Sequence, residues 1–276
     1  MALKAPFSYY GGKQRLTKHI LQHVQSHNIF VELFGGSGAI ILAKDPAPVE
    51  VYNDIYRGIV NFYRVLRDEA ASKRLVELLM LTPYSREEYR DCKYTWQTCA
   101  DPIEKARKWY FVQATSYNGK HGAGIRPPTI QSSNSKEKHV NEYHTAIDRI
   151  PAVATRLRNV VIENVDFRRA VKHYDSPSTV FYADPPYVRE TRHENAVYKH
   201  EMILQDHVDL VTLALQSRGE WVISGYEHDV YKPLDAHGWK RVELHVHASA
   251  ATRNPAKKTN RTEVLWVSQK GHHELN

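Results

Sequence analysis

Apolar residues near the start of the chain follow two alternating rhythms. Thr17–Gln25 carries Ile20, Leu21 and Val24 at helical spacing, and the run Asn28–Phe34 reads as a short buried strand. Gly35-Gly36-Ser37-Gly38 breaks that run, Ala39–Lys44 resumes a helical pattern, and Pro46 and Pro48 end it. A second strand is predicted over Val49–Asp54. Strand, glycine turn, helix and strand make a βαβ unit, which implies parallel strands. From about Ile59 to Pro151 the texture shifts to charged, helix-forming sequence, with helices predicted at Ser72–Leu81 and Pro102–Gln113. This region ends in Ser116–Asn134, a loop-like stretch rich in Gly, Pro, Ser and Asn that reads as a long exposed arm. Strand patterns return at Val160–Asn164, Val180–Ala183, Trp221–Ser224, Arg241–His247 and Glu263–Val267, with a helix predicted over Asp206–Ser217. The fold class is therefore α/β. One sheet domain, residues 1–58 and 152–276, is split by a helical insertion at 59–151.

Composition narrows the class without changing the pattern. At 276 residues, 42% of them hydrophobic and 25% charged, the chain can bury a core without disulfide or metal staples. No apolar run approaches the ~20 residues of a membrane span, and the opening Met-Ala-Leu-Lys-Ala-Pro-Phe-Ser has no apolar signal core. Cys92 and Cys99 are too few for a disulfide framework and read as ordinary thiols. A cytoplasmic protein is expected. Lys and Arg number 38 against 31 Asp and Glu, a net charge of +7 that suits a polyanionic partner.

Two segments carry candidate chemistry. The glycine turn Phe34-Gly35-Gly36-Ser37-Gly38, between strand and helix, lets backbone approach a ligand; the plainer alternative is a tight turn that needs positive φ. Asp54 closes the next strand about twenty residues on, where nucleotide-binding α/β folds place a ribose-binding carboxylate. Gly35 and Gly36 are adjacent, so the pyrophosphate fingerprint is absent. A nucleoside without pyrophosphate, such as S-adenosylmethionine, fits better. Asp184-Pro185-Pro186-Tyr187 follows the apolar strand Val180–Ala183, at the carboxyl end where open α/β sheets bind ligands. An exocyclic aromatic amine is a poor nucleophile because its lone pair is delocalised into the ring. The Asp184 carboxylate and the Pro185 carbonyl, accepting its two N–H bonds, would shift that nitrogen toward tetrahedral geometry. Pro185 and Pro186 fix φ, and Tyr187 offers a face for stacking a base.

With these motifs the chain resembles the Dam-type DNA adenine-N6 methyltransferases, phage-encoded members especially. The resemblance rests on Tyr9-Tyr10-Gly11-Gly12-Lys13, Phe34–Gly38, Asn53-Asp54, Tyr117-Asn118-Gly119 and Asp184–Tyr187. It continues through Val188–Arg192, Tyr198–Met202 and Asn260–Trp266. It implies a Rossmann-like S-adenosylmethionine-dependent methyltransferase sheet, with the insertion as target-recognition subdomain. Double-stranded DNA is then the substrate, with the target base flipped from the duplex, and no obligate protein partner or metal is expected. Tyr9, Lys13, Phe34, Gly35, Gly36, Ser37, Gly38, Asp54 and Asp166 are expected to bind the cofactor. Lys13 would lie near its carboxylate, Asp54 at the ribose and Asp166 at the adenine amine. Taken alone, Asp166 reads as a helix N-cap. Asp184, Pro185, Pro186 and Tyr187 are expected to be catalytic, and Asn118, Lys120, His121 and Arg126 to meet DNA. The sequence after Gly119 departs from the GATC-reading arm of the best-known members, which leaves the target site open. Two other functions stay in view: a catalytically silent DNA-binding or anti-restriction protein, and an RNA or protein amide methyltransferase. His193, His200 and His207, seven residues apart, would share one face of a helix, but nothing completes a metal-ligand set around them.

Overall fold

Prolines, glycines and short polar turns divide the described residues into eleven α-helices and seven strands. The computed structural model describes residues 2–127, 129, 137–192, 199–246 and 261–269. Several sequence readings fall outside them: Pro128 and residues 130–134 of the arm, His193, Tyr198, His247 and Asn260. In chain order the elements begin with α1 (Thr17–Leu21), β1 (Ile29–Glu32), α2 (Ala39–Ala43), β2 (Val49–Asn53) and α3 (Arg57–Arg67). Then come α4 (Glu69–Leu81), α5 (Arg86–Thr95), α6 (Pro102–Thr115), α7 (Lys138–Ile147), α8 (Ile150–Leu157) and β3 (Val160–Glu163). The last part holds α9 (Phe167–Tyr174), β4 (Thr179–Ala183), α10 (Leu204–Gln216), β5 (Glu220–Gly225), α11 (Lys232–Ala236), β6 (Lys240–Val246) and β7 (Arg261–Val267). No helix among the described residues is long and apolar enough to cross a membrane.

The chain packs as two units. The first comprises Met1–Lys18 and Gly35–Asn164, the second His19–Phe34 and Val165–Asn276.

In the first unit β2 and β3 pair in parallel, Val51 opposite Val161. Helix starts are set by side-chain caps. Asp68 accepts the Ala71 N–H at 2.7 Å, and Ser85 accepts from Glu87 and Glu88. Asp101 accepts from Ile103 and Glu104, with Pro102 in the first turn. The Asp68 cap explains why α4 begins three residues before the predicted Ser72. Buried aromatics form this unit's core: Phe62 stacks on Tyr110 at 5.1 Å, and Phe7 meets Phe62 and Trp109 edge-on. Glu50, 1% exposed, is held by Lys44 at 2.7 Å and Arg156 at 2.5 Å. Burial pushes its carboxyl up, but those two cations outweigh it and hold it below the usual carboxylate range.

In the second unit β1, β4 and β5 run parallel, with Val31 opposite Phe181 and Phe181 opposite Trp221. β7 pairs antiparallel with β5, and β6 antiparallel with β7. β4 and β5 are buried at every position, as strands covered on both faces require. α1 stops at Leu21, short of the predicted Gln25. The Gln25 amide instead donates to the Ser268 carbonyl at 3.1 Å. His200 and His207 do not share a helical face: exposed His200 lies in a bend, while His207 is buried on α10.

Candidate active site

In the first unit the glycine turn is held from several sides. Gly36 and Gly38 sit at φ of 49° and 65°, the left-handed region that favours glycine. A Cβ on Gly35 would come within 2.2 Å of the Tyr52 ring, and one on Gly36 within 3.0 Å of Tyr9. The Tyr52 hydroxyl donates to the Gly36 carbonyl at 2.7 Å, and the Tyr63 hydroxyl to that of Ser37 at 2.6 Å. Asp54, one residue past β2, accepts the Gly36 N–H on Oδ2 at 2.8 Å and the Tyr56 N–H on Oδ1 at 2.7 Å. Lys13 is buried, with its ammonium on the Gly11 carbonyl at 2.9 Å.

The same unit brings the start of the arm beside that N-terminal segment. Tyr10 N–H donates to the Gly119 carbonyl at 3.2 Å. The Gln113 side-chain amide bridges Ser8 O at 2.7 Å and Gly119 O at 2.8 Å. Sequence reasoning missed Gln113, since one glutamine in a helix carries no signal of a distant bridge. Asn118 is exposed and holds φ at 51°, a left-handed conformation for a residue other than glycine. Such strain clusters at functional sites. The Lys120 ammonium lies 4.6 Å from the Tyr10 ring centroid, and His121 stacks on Trp109 at 5.7 Å. Arg126 is engaged inside the protein, by Glu142 at 2.7 Å and the Ala114 carbonyl at 2.9 Å. The arm does not begin as a free loop. Ser116 and Gly119 are buried, and Ser116 bridges Ile125.

In the second unit Asp184 follows β4 directly and is half-buried, next to buried Pro185 and half-buried Pro186. The Ser224 hydroxyl, at the end of β5, donates to Asp184 Oδ1 at 2.7 Å. Tyr187 is buried, its ring edge-on to Tyr226 at 4.6 Å. Behind them Tyr231, whose phenol is pushed up by burial and then by the Asp184 carboxylate, shares a 3.0 Å hydrogen bond with His207 Nδ1. Burial holds His207 down to about 4, so it is neutral at physiological pH.

Asp166 caps α9, accepting the Arg168 N–H at 2.9 Å, so the helix-cap role read from sequence is present. Arg168 also reaches Asp206 at 2.6 Å and Asp209 at 2.7 Å, and packs over Phe167. Phe167 in turn meets Phe34 at 5.4 Å. The expected site residues thus fall into two groups. Tyr9, Lys13, Gly35–Gly38, Asp54 and the arm lie in one unit, and Phe34, Asp166 and Asp184–Tyr187 in the other.

The family model described as D12 class N6 adenine-specific DNA methyltransferase matches residues 9–237. DNA adenine methylases from Salmonella typhi and Salmonella typhimurium are each 24% identical to the chain over 219 residues, covering 76% of it and 75% of their own length.

Proposed function

Since this chain belongs to the D12 class N6 adenine-specific DNA methyltransferase family, we propose that the two residue groups described above are its cofactor-binding and catalytic machinery. The family fixes the fold as a Rossmann-like α/β methyltransferase and the reaction as methyl transfer to the N6 amine of adenine in DNA. The finer assignment is transfer from S-adenosylmethionine to an adenine flipped out of duplex DNA. Its strongest support is the position of Asp184-Pro185-Pro186-Tyr187, immediately after β4 and inside the matched span.

The donor set suits the cofactor. Carboxylates on Asp54 and Asp166 match hydroxyl and amine donors, and the Lys13 ammonium matches a carboxylate. The side-chain-free turn at Gly35 and Gly36 allows close backbone approach. When bound, S-adenosylmethionine supplies an electrophilic sulfonium methyl. The protein's task is to make a weak nucleophile attack it. Asp184 and the Pro185 carbonyl accept the two N–H bonds of the adenine amine and localise its lone pair, while Tyr187 stacks on the base. Donors and acceptors fixed in advance spare reorganisation in the transition state.

Residues 59–151 form the target-recognition insertion, and Asn118, Lys120, His121 and Arg126 contact the duplex. The enzyme needs no protein partner and works where its DNA is, in the cytoplasm of a bacterial or phage-infected cell. Incubation with tritiated S-adenosylmethionine and unmethylated plasmid DNA tests the assignment. Label recovered as N6-methyladenine supports it. Binding to the plasmid without any transfer would point to a silent DNA-binding protein instead.

A further inference from the structure

The end of β5 and the residue that follows it contact both ends of the Asp184–Tyr187 motif. β4 and β5 are parallel neighbours with Ala183 opposite Ile223, so the next residues along each strand, Asp184 and Ser224, come side by side. Ser224 is fully buried, and its hydroxyl donates to Asp184 Oδ1 at 2.7 Å. Two residues on, the Tyr226 ring meets the Tyr187 ring at 4.6 Å and 70°, an edge-to-face pair.

Gly225 between them is pinned from behind. It pairs with Val264 of β7, and a Cβ there would meet Trp266 at 3.2 Å and Tyr231 at 3.5 Å. Trp266 is itself stacked on Tyr231 at 4.4 Å and donates to Asp235 at 3.1 Å. The segment Ser224-Gly225-Tyr226 therefore rests on a rigid buried wall.

We propose that Ser224 and Tyr226 are positioning residues for methyl transfer, Ser224 by fixing the Asp184 carboxylate and Tyr226 by fixing the Tyr187 ring. The proposal rests on Asp184 and Tyr187 being catalytic. With Oδ1 held by Ser224, the carboxylate cannot swivel freely about its side-chain bonds, which sets the direction in which it meets an incoming N–H. A charge-assisted bond from a buried hydroxyl is suited to this, being short and directional. Tyr226 does the same for a stacking face. Neither residue touches the reacting atoms, so their loss should slow the chemical step without weakening substrate binding.

Single-turnover transfer of tritiated methyl to unmethylated plasmid DNA, with full-length enzyme in excess, tests this. Ser224→Ala should slow the step about ten- to a hundredfold, the loss of one hydrogen bond to a charged group. KM for the plasmid and affinity for S-adenosylhomocysteine should not move, while the unfolding midpoint should fall only by what one buried hydrogen bond contributes. Tyr226→Phe, which keeps the ring edge, should transfer at the wild-type rate, and Tyr226→Leu should be slow. A wild-type rate in Ser224→Ala, with Asp184→Ala inactive, would overturn the positioning role and leave the proposed function standing. Full activity in Asp184→Ala would overturn the proposed function itself. A Ser224→Ala protein that loses rate, plasmid affinity and cofactor affinity together would show a structural role only, and so also overturn the proposal.

Discussion

The backbone N–H of Gly36 donates to Asp54 Oδ2 at 2.8 Å, so one carboxylate ties the glycine turn to the end of the next strand. The other oxygen takes the Tyr56 N–H, which anchors the start of α3. Asp54 thus shapes the loop, and the proposed cofactor role would come on top of that.

Replacing it should expose both roles. Asp54→Ala is expected to weaken S-adenosylmethionine binding by ~1.5–3 kcal/mol, the range for bonds to a charged group. Asp54→Asn keeps one acceptor oxygen for the loop and should lose less. Calorimetric titration of the three proteins decides it, and equal affinities would remove Asp54 from the cofactor site.

Tyr187→Ala should lose base stacking worth ~1–3 kcal/mol and be severely impaired in transfer. Tyr187→Phe should retain most of the rate. If the Ala variant matched wild type in single-turnover assays, Tyr187 would be a packing residue only.

How much of this was legible in the sequence depends on the range of each interaction. The βαβ start, the Asp184–Tyr187 motif and most strands were readable, because periodicity, glycines and prolines are local signals. The helix-cap role of Asp166 was readable for the same reason. Ser224 was not: it is one polar residue in the apolar run Trp221–Ser224, and only the β4–β5 register shows what it holds. Gln113 and Arg168 were missed likewise, since their partners Ser8, Asp206 and Asp209 are distant in sequence. Arg126 was expected to meet DNA; its bond to Glu142, sixteen residues further on, had no local signal.

The Glu50 cluster makes stability of the first unit acid-sensitive. Its carboxyl is held below the usual range in the folded state, so the stabilisation is present above ~4.3 and is lost as pH falls through the lower folded value. Arg156→Ala leaves Lys44 on the Glu50 carboxylate and should cost about 1.5–3 kcal/mol, the range for hydrogen bonds to a charged group. Urea unfolding at neutral pH checks the size. A loss under about 1 kcal/mol would contradict the buried-pair account.

His207 gives a second pH dependence, at a milder pH. Its value falls from 6.5 to about 4 on folding, so only the unfolded chain binds the proton between those limits. Stability should therefore be full above pH 6.5 and decline by about 3 kcal/mol as pH falls toward 4, at ~1.36 kcal/mol per unit. His207→Gln should flatten that slope. A slope unchanged in the variant would assign it to other groups.

On the arm, Lys120→Ala should weaken binding about equally on all DNA and reduce the salt slope by about one. Arg126→Ala should instead cost ~1–3 kcal/mol on the cognate site and relax one position of the sequence. Exchanging residues 116–134 with a relative of different specificity separates recognition from catalysis. A chimera that still methylates the original site would place recognition elsewhere.

The most direct test of the central claim is nucleoside analysis of DNA from a methylation-deficient bacterium expressing this chain. The wild-type protein should yield N6-methyladenine at a defined sequence, and Asp184→Ala, expressed to the same level and folded, should yield none above background. Absence of N6-methyladenine with the wild-type protein, or equal amounts with both, would contradict the account.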